Sequence, residues 1–176
     1  NLLIQQAVAA FDGYRVDKFI RHFERFLDDL SNWYIRRSRR RFWKSEDDAD
    51  KQAAYQTLYQ VLLISIKVIA PILPFMTEEI YQNLARNTDQ SLPESIHLSD
   101  YPKVNEGKID QKLIQQVDTL RKIVELGRSA RNKAELKIRQ PLAELCFHLD
   151  DDELVEFILD QQLIVLDELN VKNIKW

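Results

Sequence analysis

Glycine is scarce in this chain. Its 176 residues include three, Gly13, Gly107 and Gly127. No two lie close enough to build a dinucleotide fingerprint, a phosphate-cradling P-loop or a Gly-rich kinase loop. Proline is also rare, with five residues. That composition suits long uninterrupted helices and argues against a many-turned β-sandwich. The one cysteine, Cys146, permits no internal disulfide and points to a cytoplasmic setting. Apolar runs such as residues 61–66 fall far short of the ~20 residues of a membrane span, so no membrane partner is expected. The opening Asn1-Leu2-Leu3-Ile4 has no methionine and no basic n-region. It reads as a cut inside a longer protein rather than as a signal peptide.

The residues that remain describe an ordinary globular chain, 45% apolar and 30% charged. Apolar spacing predicts helices over 2–12, 15–44, 53–70, 74–84 and 109–134. In the second, Ile20, Phe23, Leu27, Leu30, Tyr34 and Phe42 stack on one side. The third reads as apolar nearly all round and buried. Residues 86–107 hold Asn, Asp, Ser and two prolines and read as a surface connection. After Pro141 a strand is expected over 142–149, a helix over 152–167 capped from Asp150–Asp152, and a strand over 171–176. The expected fold is mainly α: a helical bundle followed by a small β-α-β unit. The expected organisation is a bundle over 1–107 with a linker at 86–107, a long helix and junction turn over 108–140 packing on the bundle, and an α/β piece over 141–176. Two strands and one helix are marginal alone, so that last piece is expected to belong to a larger sheet.

Net charge is −3, yet the charges are sorted along the chain. Residues 32–44 carry six cations and no acid; residues 121–139 carry seven cations and two acids; residues 150–168 carry eight acids and no cation. On a helical wheel Trp33, Arg36, Arg37, Arg40, Trp43 and Lys44 fall on one side, away from the apolar stripe. Guanidinium forks bind phosphate bidentately, and flat rings stack on unpaired bases. A solvated basic face is the plainer alternative. Six cations with no interspersed acid, however, leave repulsion uncompensated. Arg36, Arg37, Arg40 and Lys44 are therefore candidate phosphate contacts. Trp43, with Trp33, is a candidate stacking residue. Arg128, Arg131, Lys133, Lys137 and Arg139 form a second candidate strip. Arg41 lies on the apolar side and reads as structural, with Glu78 or Glu79 as its expected partner.

No reaction chemistry is apparent. His22, His97 and His148 are scattered, and no Cys/His spacing suits zinc. Cys146 is expected to pack in the core. Glu78-Glu79 and Asp150–Asp152 read as helix-start carboxylates rather than as acid–base pairs.

The string Asp29-Leu30-Ser31-Asn32-Trp33-Tyr34-Ile35-Arg36-Arg37-Ser38-Arg39-Arg40-Arg41-Phe42-Trp43 resembles the signature of isoleucyl-tRNA synthetases, in the anticodon-binding domain that follows their catalytic domain. Ala70-Pro71-Ile72-Leu73-Pro74-Phe75-Met76-Thr77-Glu78-Glu79-Ile80-Tyr81 is similar to that family's Pro-x-x-Pro-Phe-x-x-Glu-Glu helix start. Ser95-Ile96-His97-Leu98 with Tyr101-Pro102, Lys137-Ile138-Arg139-Gln140-Pro141-Leu142 and Glu168-Leu169-Asn170-Val171-Lys172 also resemble family segments, in family order. The resemblance implies a bundle that docks on the anticodon stem and loop of isoleucine tRNA. It implies a parent enzyme that joins isoleucine to its tRNA with ATP and Mg²⁺.

The family's His-Ile-Gly-His and Lys-Met-Ser-Lys-Ser signatures are not in this sequence. No two histidines lie three apart, and the only methionine, Met76, precedes Thr77. The editing domain is missing as well. The chain is thus expected to be non-catalytic and to bind no cofactor itself. Its expected partners are isoleucine tRNA and the enzyme's own catalytic domain, and it is expected to be monomeric. The alternatives are the equivalent domain of a valyl or leucyl enzyme, or a helical protein-interaction module whose basic face meets an acidic partner such as residues 150–168.

Overall fold

The structure is a computed structural model and describes residues 1–43 and 48–176. It is mainly α-helical with a small parallel sheet, as the sequence predicts. Two compact units divide the chain, Asn1–Ile109 and Asp110–Trp176. The long helix of the expected middle segment belongs to the second.

In the first unit α1 (Leu2–Asp12) turns at Gly13 into α2 (Val16–Asp28). A π-helical stretch, Asp29–Ile35, continues without a break into α3 (Arg36–Trp43). Helices α4 (Asp48–Ile69) and α5 (Pro74–Tyr81) follow, and a second π-helical stretch, Gln82–Arg86, extends α5. Pro71 and Pro74 separate α4 from α5. Pro74 occupies the first helical turn, where its missing N–H costs nothing.

The core joins Ile4, Ala7 and Ala10 of α1 to Phe19 and Phe23 of α2 and to Val68 and Ile69 of α4. Ring contacts run Phe11–Phe19, Phe19–Phe23 and Phe23–Phe26, with centroids 5.1, 5.8 and 6.0 Å apart. This corrects the expected stripe. Ile20 and Leu27 are 38% and 42% exposed, and Phe19 is fully buried in their place. The two apolar rows share Phe23 and Leu30. The row that inserts phenyl rings buries more area and gains edge contacts. Helix α4 is also not buried all round. Its second half holds the buried Ser65, Ile66, Val68 and Ile69, whereas most of its first half is open and Ile64 is exposed.

The stretch after Arg86 is laced to the helices rather than free of them. The Tyr81 hydroxyl donates to the Pro93 carbonyl at 2.9 Å, and the Tyr101 hydroxyl to that of Val68 at 3.1 Å. Burial pushes the Tyr101 hydroxyl up to about 12. Glu78 is the main tie. Its carboxylate accepts from the Ser95 hydroxyl at 2.7 Å, the Ile96 amide at 3.0 Å and the Gln82 side chain at 2.6 Å. Desolvation opposes the Glu78 charge, but these donors together, with His97 nearby, hold its carboxyl below the usual glutamate range. Glu78 is therefore a strap anchor, neither a helix-start carboxylate nor the partner of Arg41.

The second unit begins with α6 (Gln111–Lys133), capped by Asp110, whose carboxylate accepts from the Leu113 amide at 2.9 Å. Strand β1 (Leu142–Cys146) pairs in parallel with β2 (Val171–Lys175), Leu142 opposite Val171 and Glu144 opposite Asn173. A parallel pair needs a crossover. Helices α7 (Asp152–Asp160) and α8 (Gln162–Leu169) supply it, broken at Gln161 where a single helix was expected. Asp151 is the N-cap of α7. Leu120, Ile123 and Val124 of α6 are buried with Val155, Ile158, Val165 and Leu169 of α7 and α8, which pack against it. Leu113 and Ala130 of α6 are exposed. So is Cys146, at the end of a strand that stops before Phe147.

Gly127 sets how closely α6 meets α8. A Cβ there would lie 2.5 Å from Leu169 Cδ1 and 2.9 Å from Cδ2. Gly127→Ala should cost about 1–3 kcal/mol through overpacking, despite alanine's better helix propensity. Thermal unfolding would show no loss if the interface opened freely.

The Glu78 tie predicts an acid effect. A folded-state pKa below the ordinary 4.5 means a contribution complete above 4.5 that fades as pH falls through the lower folded value. Glu78→Gln should lower stability by about 1–2 kcal/mol at neutral pH and flatten that acid dependence. Urea denaturation at several pH values reads both.

Candidate nucleic-acid interface

The continuous helix from α2 to α3 positions the first basic strip. Leu30, Ser38 and Phe42 are buried and Tyr34 is half-buried on its inner side. These positions are four residues apart. In a regular α-helix each such step drifts about 40°. The wider π-helical turn takes up part of that drift and keeps the row facing inward. The Phe42 ring meets Tyr55 of α4 at 5.2 Å, which holds α3 against α4.

The opposite side is cationic. Arg36 and Arg40 are exposed and Arg37 is half-buried. Arg37 lies 5.3 Å over the Trp33 ring, a cation–π contact. The Arg36 Nε donates to the Asn32 carbonyl at 2.9 Å. Trp43 is 68% exposed and braced edge-on by Phe42 at 6.2 Å. The structure thus brings Trp33, Arg36, Arg37, Arg40 and Trp43 onto one helical element, as the wheel predicts. Lys44 lies outside the described residues. Arg39, which the wheel sets apart, is exposed on the same helix. The absence of acids over residues 32–44 was the signal that included it.

Arg41 is structural, but its partner differs from the expected one. Its guanidinium forks onto Asp50 of α4, with Nη2–Oδ1 2.6 Å and Nε–Oδ1 3.0 Å. That hydrogen bond raises Arg41 and lowers the Asp50 carboxyl from their ordinary values. The pair is about 40% exposed on both sides, so it fixes geometry more than it stabilises.

The second strip is divided. Lys133, Lys137 and Arg139 are exposed around the end of α6 and the turn that follows. Arg128 instead pairs with Glu168 of α8, whose side chain is almost fully buried. Arg131 is buried, 4% exposed, and its guanidinium donates to the carbonyls of Lys137, Gln140 and Asn170. Arg131 thus faces the interior of its unit, whereas the Arg128 side chain stays 42% exposed while it pairs with Glu168. Spacing alone does not separate them from their exposed neighbours. The buried carboxylate Glu168, the last residue of the acidic run, was not distinguishable from the solvated acids before it.

Among the described residues no three His, Cys, Asp or Glu side chains converge on a possible metal site. Among them, too, no helix is long and apolar enough to cross a membrane.

The bundle thus carries one arginine-lined, indole-bearing helix, α3, with no acid along it. The chain is a member of the family of anticodon-binding domains of tRNA ligases, which it matches over residues 1–146. It is 46% identical over 172 residues to an isoleucine–tRNA ligase of Dehalococcoides mccartyi, covering 98% of this chain and 17% of that enzyme. It is 44% identical over 176 residues to that of Clostridium novyi, covering 100% and 16%, and 46% identical over 165 residues to that of Chlamydia caviae, covering 94% and 15%. The chain thus spans about one sixth of the length of the curated relatives it matches.

The Arg128–Glu168 pair yields a stability prediction. Arg128→Met leaves a buried carboxylate without its guanidinium and should cost on the order of 2–3 kcal/mol. Adding Glu168→Gln should recover much of that loss. Urea denaturation of the two single variants and the double variant measures the coupling.

Proposed function

We propose that this chain is the tRNA-docking part of an isoleucine–tRNA ligase and that it grips the anticodon stem and loop of isoleucine tRNA. The observation that carries this reading is the α3 surface: exposed arginines and an exposed indole on a rigid helix, in a chain of the anticodon-binding family. Arg36, Arg37, Arg39 and Arg40 supply phosphate contacts, with Lys44 next in sequence. Trp43 offers a flat face to an unpaired base. Lys133, Lys137 and Arg139 supply a second set of cations. Phosphate contacts fix the register of the tRNA without reading its sequence.

The rest of the enzyme, in this reading, carries the chemistry that joins isoleucine to tRNA with ATP and Mg²⁺. The chain works as a monomer in the cytoplasm and docks on its own catalytic domain as well as on tRNA.

The test is salt dependence. Each phosphate contact contributes roughly 0.7–0.9 to the slope of log affinity against log salt. Arg36→Glu with Arg40→Glu should weaken binding of isoleucine tRNA and make that slope shallower by at least about 1.4. Trp43→Ala should weaken binding while leaving the slope intact. An unchanged affinity and slope in the double variant would remove α3 from the interface.

A further inference from the structure

The turn after α6 runs Ala134-Glu135-Leu136-Lys137-Ile138-Arg139-Gln140-Pro141. It has almost no apolar anchor: Leu136 is half-buried and its other side chains are exposed. Its shape comes from inside. Arg131 Nη1 donates to the Lys137 carbonyl at 3.0 Å, and Nη2 donates to those of Gln140 at 2.9 Å and Asn170 at 3.1 Å. Asn170, at φ 48°, donates its side-chain amide to the Ile138 carbonyl at 3.0 Å. Glu135 takes the left-handed conformation at φ 56°, and the Leu136 amide closes back on the Arg131 carbonyl at 2.9 Å. The carbonyls of residues 137, 138 and 140 are therefore drawn inward, and the side chains of Lys137, Ile138 and Arg139 stand exposed.

This is a costly way to build a turn. A guanidinium is buried against neutral carbonyls, and its Nε has no partner. A packing role alone would be met more cheaply by an apolar side chain. What the guanidinium adds is a fork that holds carbonyls from two segments at once.

We propose that Arg131 is a positioning residue for RNA binding. It folds the turn so that Lys137 and Arg139 present two cations at fixed spacing to tRNA phosphates, and it does not touch the RNA itself. This rests on the tRNA-docking reading above.

The experiment measures binding of isoleucine tRNA to the 176-residue chain as a function of salt. Lys137→Ala with Arg139→Ala should make the slope shallower by roughly 1.4–1.8, the value of two phosphate contacts. Arg131→Met should produce the same shift, although the group it removes faces inward. Combined with the Lys137/Arg139 pair, Arg131→Met should change the slope no further. A further drop in the combined variant would mean that Arg131 meets phosphate directly, and unchanged binding in Arg131→Met would mean that the turn needs no pin; either overturns the proposal.

If Arg131→Met loses its helical circular-dichroism signal, Arg131→Lys decides. It keeps the charge but lacks the fork, so it should still lose slope, and a parental slope overturns the proposal. Parental binding by the Lys137/Arg139 variant also overturns it. With Arg36→Glu/Arg40→Glu impaired, that outcome leaves tRNA docking standing. With both variants binding as the parent does, tRNA docking falls too.

Discussion

A helix buries one row of side chains, and the row buried between Val16 and Trp43 decides which way the arginines face. Phe19, Phe23 and Leu30 fix the first half, and Ser38 and Phe42 fix the second. Were the helix regular throughout, the four-residue spacing from Leu30 to Phe42 would rotate the second half out of line with the first. The π-helical stretch Asp29–Ile35 reduces that rotation. It joins an aromatic core at one end to a packed Phe42–Tyr55 contact at the other without a hinge. The cationic surface is therefore one continuous helical face held against α4 at its far end.

The second constraint is how arginine is allotted. The same side chain does two jobs here, and of the arginines that tie elements together only Arg131 is buried. Arg41, Arg128 and Arg131 are bound to Asp50, Glu168 and three carbonyls respectively. Arg36, Arg39 and Arg40 stand in solvent. The inward arginines tie elements that are distant in sequence: Arg41 joins α3 to α4, Arg128 joins α6 to α8, and Arg131 joins α6 to the start of both strands. In each case a planar fork meets two or more acceptors or a forked carboxylate, a task a single ammonium performs poorly.

Much of this was legible in the sequence. Low glycine and proline, the helical spacing over 15–44 and the bare cationic run of 32–44 led to a helical bundle with a basic helix, and the quoted segments led to the family. What was not legible depends on which of several equivalent faces tertiary packing selects. Ile20 and Leu27 keep the same spacing as Phe19 and Phe26; the Phe11 ring and the apolar residues of α1 and α4 favour the second set. Cys146 is hydrophobic by type but sits where its strand ends. Glu78 looked like a helix-start carboxylate because its partners, Ser95 and Ile96, lie 17 and 18 residues away. Arg131 sat in a basic run, and nothing local marks an inward arginine when its acceptors are backbone carbonyls.

The net charge of −3 then takes on a physical meaning. A protein that binds a polyanion through phosphates alone binds many polyanions, and a uniformly basic surface makes that worse. Here the cations are concentrated on α3 and around the turn after α6, while residues 150–168 carry eight acids. Several of those acids are held in place by cations of the same unit, Glu153 by Lys112 and Glu168 by Arg128. Placing those acids in the same chain as the cationic helix keeps long-range attraction to any polyanion modest. Any phosphate contact then has to come from the local arrangement of cations within each unit rather than from the net charge of the chain. Within each unit the paired arginines fix that local arrangement: Arg41 ties α3 to α4 through Asp50, and Arg131 holds the carbonyls of the turn that carries Lys137 and Arg139.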